Sequence, residues 1–224
     1  MAAEPQLAAV GAAIGNPARG GMLIELLGGR ALPAGELARA GGVSPSSASA
    51  HLATLTAAGL VATERHGRHR YYRLAGREVA EALEALTALA PPRPGQSLAA
   101  VNRHSAERAA RSCYDHLAGA LGVAVTDRLC ELGALERDSL SLVATGPVEA
   151  LGVDVGAITT GRRPMTRSCL DWSERRPHLA GALGAALLGT LLERGWVARR
   201  PSGRTLSVTA TGCAGLADAI GLRL

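Results

Sequence analysis

The chain has 224 residues, 47% of them hydrophobic, which is enough for one large domain or two small ones to fold around cores of their own. All 24 basic residues are arginines, and the net charge of +5 is compatible with a polyanionic partner without identifying one. No stretch has the roughly 18 uninterrupted apolar residues of a membrane span, and the N-terminus lacks a signal-peptide pattern. The composition therefore argues against a membrane partner, and we expect a cytoplasmic protein whose four cysteines are free thiols.

Three helices are predicted before the most informative segment of the chain. Apolar residues recur at helical spacing from Leu7 to Ile14, and Asn16 followed by Pro17 is a typical start of a second helix. A third short helix covers residues 33–40 and ends at two glycines. The apolar stripe of the second helix consists of Met22, Leu23, Leu26 and Leu27.

The segment VSPSSASAHLATLTAAGLV, residues 43–61, is rich in serine and has no charged residue. Ser44 is a natural N-cap with Pro45 behind it, Leu52 and Leu55 form a buried stripe, and Gly59 ends the helix. Together with the preceding short helix and the GGVS turn, this segment predicts a helix-turn-helix. The sequence that follows, VATERHGRHRYYRLAG, predicts a two-stranded wing that turns at residues 66–68.

Positive charge is concentrated on the predicted wing, beside the serine-rich helix. The basic residues in this stretch are Arg65, His66, Arg68, His69, Arg70, Arg73 and Arg77. A further amphipathic helix over residues 76–89 follows, and its apolar stripe is suited to pairing with a second subunit. That stripe consists of Val79, Leu83, Leu86 and Leu89.

The array ELARAGGVSPSSASAHLATLTAAGLVATERHGRHRYYRL resembles the winged helix of ArsR-type bacterial transcriptional repressors, over residues 15–90. The resemblance implies a homodimer that binds operator DNA and is switched off by an effector. Small hydroxyls at a helix N-terminus can approach phosphates and base edges, and wing arginines can neutralise phosphates. The alternative is that the serines only cap the helix and the arginines are only solvated. The expected DNA-binding residues are Ser44, Ser46, Ser47, Ser49, His51, Arg65, His66, Arg68 and Arg70.

The proline-rich stretch APPRPGQ divides the chain. We expect a winged helix-turn-helix domain at 1–90, a linker at 91–96 and a dimerisation or sensing domain at 97–224. An offset of 136 residues aligns 52–76 with 188–212 and predicts a degenerate winged-helix core at 178–210, without the serines. The expected fold class is mainly α with small β-wings, that is, α+β.

Two stretches of the second domain, RSCYDHLAG and SCLDWSERRPHLAG, contain thiols, imidazoles and carboxylates. Cys113 and His116 are expected one turn apart on a long helix, and His178 at the start of a later helix. Zinc or another thiophilic metal ion could bind this set, although its spacing is not that of a zinc finger, and redox sensing by the thiols is an alternative. The candidate metal ligands are Cys113, His116, Cys169, Asp171 and His178.

Other roles for the same stretches remain open. The cysteines could be buried packing residues. Tyr114, Trp172 and Arg175 could instead line a pocket for a small organic effector. Cys113 with His116 has the residue types for thiol catalysis but no evident oxyanion hole, so we expect a regulator and not an enzyme.

Overall fold

The computed structural model describes residues 6–90, 98–159, 161–201 and 203–224. The chain divides into two compact units, Met1–Leu83 and Glu84–Leu224. The predicted linker at 91–96 lies outside the described residues. Helices and short antiparallel strands alternate along the chain, which confirms the α+β fold class. In the described part of the chain, no helix is long and apolar enough to cross a membrane.

The first unit is a winged helix-turn-helix. Its helices are α1 (Leu7–Ile14), α2 (Pro17–Leu26), α3 (Ala34–Gly41) and α4 (Pro45–Ala57). Its strands β1 (Leu32–Pro33), β2 (Val61–His66) and β3 (His69–Leu74) form an antiparallel sheet in the order β1-β3-β2. The hairpin of β2 and β3 is the predicted wing.

Local signals explain why these helices begin and end where they do. The side chain of Asn16 accepts hydrogen bonds from the amides of Ala18 and Arg19 and caps α2. Gly42, with a φ of 65°, allows the tight turn between α3 and α4. The stripe predicted for α2 is confirmed as core, since Met22, Leu23, Leu26 and Leu27 are each at most 1% exposed.

Helix α5 (Arg77–Leu89) follows the wing and contains the division between the two units. Its predicted apolar stripe is buried only in part. Leu83 is buried, whereas Leu86 is 47% and Leu89 is 81% exposed. The end of α5 therefore presents leucine side chains to solvent in the single chain.

The second unit is built around a duplicated hairpin and helix. Strands β4 (Arg111–Cys113) and β5 (His116–Ala118) precede α7 (Gly119–Glu131), and β6 (Arg167–Leu170) and β7 (Pro177–Ala180) precede α9 (Gly181–Glu193). The other elements are α6 (Leu98–Ala109), α8 (Gly146–Ala150), β8 (Val197–Arg199), β9 (Leu206–Val208) and α10 (Ala210–Ile220). Helix α7 packs against β7 and α9 against β5, so each helix covers the strand of the other copy.

The duplication is visible in the sequence as the strings RSC and HLAGALG, which occur at 111–113 and 116–122 and again at 167–169 and 178–184. In both copies the second glycine of HLAGALG packs tightly on the preceding strand. A Cβ on Gly122 or Gly184 would lie 2.6 Å from the carbonyl oxygen of Leu117 or Leu179, respectively. Glycine at these positions lets the helix approach its own strand.

The prediction that Cys113 and His116 share a helix is wrong, because they lie on β4 and β5 and face each other across a hairpin. Tyr114 turns the chain between them with a φ of 59°, a left-handed conformation that a helix does not contain. His178 likewise lies on β7 and not at the start of a helix. The order of helix and hairpin expected in 178–210 is present as α9, β8 and β9, but Arg204, the counterpart of the wing residue Arg68, is buried.

Candidate nucleic-acid interface and metal centre

The N-terminus of α4 is a small, uncharged and exposed surface. Ser44 caps the helix by accepting a hydrogen bond from the amide of Ser47 at 3.3 Å. The hydroxyls of Ser46 and Ser47 each lie 3.0 Å from that of Ser44. Ser49 is also exposed and donates to the carbonyl of Pro45. Because the residues at this end of the helix are small and exposed, a ligand can approach its backbone amides closely.

The tip of the wing carries arginines that have no ion-pair partner among the described residues. Arg65 and Arg70 stand directly opposite each other on β2 and β3, where like charges repel, and both are exposed. Neither they nor Arg68 at the turn form an ion pair with any described residue. Arg73 differs, because it pairs with Glu64. The tip of the wing therefore presents positive charge to solvent.

Two other predicted DNA-binding residues have contacts within the unit. His51 is half-buried, and its Nδ1 lies 3.4 Å from the Nη1 of Arg19. His66 is exposed at the end of β2, with its ring 5.7 Å from that of Tyr71 and its Nε2 3.9 Å from Glu64. A histidine at this position can face DNA or bond to nearby structure, and the contact of His51 with Arg19 fits the second of these roles.

Four of the five candidate metal ligands converge in the second unit. One ligand atom from each of Cys113, His116, Cys169 and His178 lies within 4.8 Å of every other. The two Sγ atoms are 3.9 Å apart and the two Nε2 atoms 3.1 Å apart. The duplication explains this convergence, since each hairpin contributes one cysteine and, directly across from it, one histidine. We call these four residues the Cys/His cluster.

Asp171, the fifth candidate, does not point a free oxygen at this cluster. Its Oδ2 accepts hydrogen bonds from Arg111 at 2.9 Å and from the amide of Gly119 at 2.7 Å, and its Oδ1 accepts from Ser173. The same Oδ2 lies 3.6 Å from the Nδ1 of His178. Asp171 therefore faces Nδ1 of His178, the outer nitrogen of the ring, whereas Nε2, the inner nitrogen, faces the cluster.

Asp115 has the same position in the first copy, because both aspartates stand two residues after the cysteine. Its Oδ1 lies 3.2 Å from the Nδ1 of His116, and Arg163 holds its other oxygen at 2.7 Å. A carboxylate at Nδ1 keeps the proton on that nitrogen and leaves the lone pair on Nε2. Neither Asp115 nor Arg163 is among the candidate metal ligands predicted from the sequence.

The electrostatics of the cluster favour one thiolate. The pKa of the Cys169 thiol is well below its usual range because Cys113 donates a hydrogen bond to it and the imidazoles of His116 and His178 lie beside it. The pKa of Cys113 is raised by the same bond and by burial. Burial alone would lower the pKa of His116, but its hydrogen bonds with Asp115 and Cys169 outweigh burial and raise it. An anionic sulfur in a buried cluster attracts a cation.

The sulfur pair and the nitrogen pair of the cluster are each spaced much as in a tetrahedral zinc site. With zinc-to-ligand distances of about 2.3 Å for sulfur and about 2.05 Å for nitrogen, the sulfur pair of a regular tetrahedron is separated by about 3.8 Å and the nitrogen pair by about 3.3 Å. The separations of 3.9 Å and 3.1 Å are close to these values. The Nε2 atoms of His116 and His178 both face the cluster, so each could donate a lone pair to a cation bound there.

The residues proposed for an organic effector line neither of the two described cavities. Trp172 packs against His104, with ring centroids 5.2 Å apart, and Arg111 lies over its ring at 4.7 Å. Tyr114 is at the turn of the first hairpin, and Arg175 is exposed. Two described cavities of about 450 and 350 Å³ are lined by other residues, chiefly of α9 and α7.

A winged helix-turn-helix with an exposed serine-rich helix and a basic wing defines the class of DNA-binding transcriptional regulators. Comparison with known proteins leads to the same class. The MarR family model matches residues 16–70. The uncharacterized HTH-type transcriptional regulator YdfF of Bacillus subtilis is 41% identical over 213 residues, which cover 93% of this chain and 94% of YdfF.

Two further similarities cover the first part of the chain. The HTH-type transcriptional regulator CmtR of Mycobacterium tuberculosis is 40% identical over 83 residues, 37% of this chain and 70% of CmtR. A solved homodimeric winged helix-turn-helix DNA-binding domain of a possible ArsR-family regulator from Mycobacterium bovis is 32% identical, with a TM-score of 0.35, and the match covers 40% of this chain and 89% of that domain.

The chain belongs to the family of HTH-type transcriptional regulators that includes YdfF. It is a DNA-binding regulator and not an enzyme, as the sequence predicted. The matching family model describes MarR regulators, whereas the sequence resembles the ArsR type. Both assignments describe winged helix-turn-helix transcriptional regulators.

Proposed function

We propose that this protein is an ArsR-type repressor that acts in the cytoplasm as a homodimer on operator DNA and is released by a metal ion bound at the Cys/His cluster. The observation that carries the proposal is the pairing of an exposed, uncharged N-terminus of α4 with a wing whose three arginines, Arg65, Arg68 and Arg70, lack ion-pair partners among the described residues. The ordered motif array from Glu36 to Leu74 supports the ArsR type.

The serine-rich helix is proposed to enter the major groove. Its exposed positions Ser46, Ser47 and Ser49 carry hydroxyls that can donate to or accept from base edges and phosphates. Their small size lets the backbone of α4 come close to the DNA. Ser44 would contribute through its cap, which aligns the first free amides of the helix.

The wing is proposed to bind the phosphate backbone or an adjacent minor groove. Bringing phosphates against Arg65 and Arg70 removes the repulsion between these two opposed guanidinium groups and releases counterions from the DNA. His66 and Arg68 at the turn extend the same surface. This contact supplies affinity for any duplex, while the serine-rich helix supplies the preference for an operator.

Homodimerisation is supported by the end of α5. Leu86 and Leu89 expose apolar surface at 47% and 81%, and a second copy of this helix could cover it. A two-fold dimer would present two α4 helices to half-sites about one helical turn, or a multiple of it, apart. Analytical ultracentrifugation of wild type and Leu89→Arg tests this step, and a monomeric wild type would contradict it.

Zinc or another thiophilic divalent ion is the proposed effector. Two cysteine sulfurs and two imidazoles are soft and borderline ligands that favour such ions over calcium or magnesium. Bound metal would supply an electrostatic link between the two hairpins. The protein's own residues hold its ligands in place, with Asp115 and Asp171 at the outer nitrogens of the histidines.

The decisive experiment measures DNA binding with and without metal. Operator duplexes are selected from a random pool with the full chain, and fluorescence anisotropy then gives Kd at several salt concentrations for metal-free and zinc-loaded protein. We expect sequence-selective, salt-dependent binding that zinc weakens by shifting the dimer to a state that no longer fits the operator. Selective binding that zinc leaves unchanged would retain the DNA-binding proposal and reject the metal effector.

A further inference from the structure

Two of the four cysteines lie in contact, and the other two lie elsewhere. Cys113 on β4 and Cys169 on β6 are 56 residues apart in sequence, yet their Sγ atoms are 3.9 Å apart. Cys130 lies on α7 and Cys213 on α10. All four are free thiols in the structure. The duplication that builds the Cys/His cluster has therefore also placed two thiols side by side.

The two sulfurs differ in access. Cys113 is 4% exposed, whereas Cys169 is only half-buried. A small oxidant from solution can therefore reach Cys169 first, while Cys113 is buried next to it. This is the arrangement of a reactive cysteine and a resolving cysteine.

We propose that Cys113 and Cys169 form a reversible disulfide, and that this bond and a metal ion at the Cys/His cluster exclude each other. The exclusion rests on the proposed metal site, whereas the disulfide rests only on the two sulfurs. A disulfide sulfur is no longer a thiolate ligand, so oxidation would leave His116 and His178 alone, and two imidazoles hold zinc far more weakly than the full set.

The oxidant class is a peroxide, and the reaction proceeds in two steps. An electron pair of the Cys169 sulfur attacks one peroxide oxygen, the O–O bond breaks, and the departing oxygen leaves as water after taking the thiol proton. The resulting sulfenic acid is attacked by the Cys113 sulfur, so that the S–S bond forms and the S–O bond breaks. The hydroxyl of the sulfenic acid and the proton of Cys113 leave together as a second water. The two thiols lose two electrons, and the peroxide gains two.

The geometry requires little rearrangement of the fold. The sulfurs must close from 3.9 Å to the bond length of about 2.05 Å, a movement within the range of side-chain rotation. Both cysteines lie on strands held by their hairpins, with Cys113 opposite His116 and Cys169 opposite His178. The bond would join the two copies of the duplicated unit.

The test uses the full chain in metal-free and zinc-loaded form, treated with increasing hydrogen peroxide. Mass spectrometry of non-reduced peptides identifies cross-links, and a chromogenic chelator measures zinc release. We expect a chain lighter by two hydrogen atoms, a single cross-linked peptide pair containing Cys113 and Cys169, and one zinc released per disulfide. A thiol reductant followed by zinc should restore the starting state.

Matched variants separate this pair from the other thiols. The double variant Cys130→Ser, Cys213→Ser should form the disulfide like wild type, whereas Cys169→Ser should not form it. Circular dichroism of Cys169→Ser checks that the fold persists. The alkylation rates of Cys113 and Cys169 in untreated wild type provide a second measurement of access. Cys113 is expected to react more slowly than Cys169.

Two outcomes distinguish this inference from the proposed function. If the chain binds no zinc but forms the Cys113–Cys169 disulfide, the metal effector fails, and with it the exclusion, while the disulfide stands. If the chain binds zinc but peroxide drives metal-free Cys169 to sulfinic acid, or links other cysteines, the inference is overturned and the metal site stands.

Discussion

Arg111 and Asp171 form a buried ion pair that joins the two copies of the duplicated hairpin and helix. The Nη2 of Arg111 lies 2.9 Å from the Oδ2 of Asp171, and both side chains are 0% exposed. The same carboxylate oxygen accepts a hydrogen bond from Gly119 at the start of α7. One aspartate of the second copy thus fixes a strand and a helix of the first.

Replacing Asp171 with Asn should strongly destabilise the protein. The change keeps the shape of the side chain but leaves the charge of Arg111 buried without a counterion, which typically costs about 3–5 kcal/mol. Urea denaturation followed by circular dichroism measures the free energy of unfolding. The matched control is Asp127→Asn, which breaks the pairs of a half-buried carboxylate with the exposed Arg176 and Arg137 and should cost at most about 1 kcal/mol. Equal losses in the two variants would contradict the role of Asp171.

The stabilisation from Asp171 should disappear in acid. Burial would raise the pKa of this carboxyl, but Arg111, Ser173 and the amide of Gly119 outweigh burial and hold the pKa well below its usual range. Since the unfolded chain, with a pKa of about 3.9, takes up the proton more readily, this stabilisation is present above about pH 4 and is lost as the pH falls further. Urea denaturation from about pH 6 to 2 should show wild type losing more stability than Asp171→Asn. Parallel curves would argue against this assignment.

Two glycines on α9 should respond oppositely to alanine. A Cβ on Gly184 would lie 2.6 Å from the carbonyl oxygen of Leu179, so Gly184→Ala must force the helix away from β7 and destabilise the unit by more than about 1 kcal/mol. A Cβ on Gly189 would meet no atom of the described residues within 4 Å, and Gly189→Ala should stabilise the helix by about 0.5–1 kcal/mol. Thermal unfolding of both variants measures this contrast, and a stable Gly184→Ala would show that the helix is not closely packed there.

Most of the first unit follows from local signals in the sequence. Asn16 with Pro17 and Ser44 with Pro45 mark two helix starts, and Gly59 marks an end, because capping and glycine preferences act within a few residues. Strand β1 was missed, since two residues give no periodicity and the pairing of Leu32 with Tyr72 is a long-range contact.

The second unit was harder to predict, for a physical reason. Strands of three residues, such as β4 and β5, are too short to show alternation, and RSCYDHLAG is also compatible with a helix. Proximity of Cys113 and Cys169 depends on the packing of two hairpins, which no local pattern encodes. The available signal was a repeat: RSC, an aspartate two residues after the cysteine, and HLAGALG occur twice in the same order. The repeat is hard to see because the second copy has six more residues, Trp172–Pro177, before its histidine.

Asp115→Asn should weaken metal binding although Asp115 is not itself a ligand. Its carboxylate lies 3.2 Å from the Nδ1 of His116 and orients that ring, and loss of such a partner typically lowers metal affinity about 10–100-fold. Competition with a chromogenic chelator measures the zinc affinity, and the absorption of the Co²⁺-substituted protein should retain a tetrahedral pattern. Asp127→Asn is again the control and should bind zinc like wild type. Unchanged affinity in Asp115→Asn would mean that His116 is oriented by other contacts.

Arg68→Ala and Ser47→Ala should separate the two proposed contributions to DNA binding. Arg68 is exposed at the turn of the wing, so its loss should weaken binding to selected and random duplexes alike and reduce the slope of log affinity against log salt by about 1. Ser47 lies on the exposed face of α4, and its hydroxyl is proposed to contact bases. Ser47→Ala should therefore weaken binding to the selected duplex more than binding to the random duplex.

The control for the loss of charge is Arg137→Ala, since this exposed arginine lies in the second unit and should leave both affinities unchanged. Fluorescence anisotropy on the two duplexes at several salt concentrations gives all of these quantities. If Ser47→Ala weakens both duplexes equally, Ser47 contributes only through the helix cap and phosphates. If Arg68→Ala behaves like Arg137→Ala, the wing does not touch DNA, and sequence preference and affinity both reside in α4.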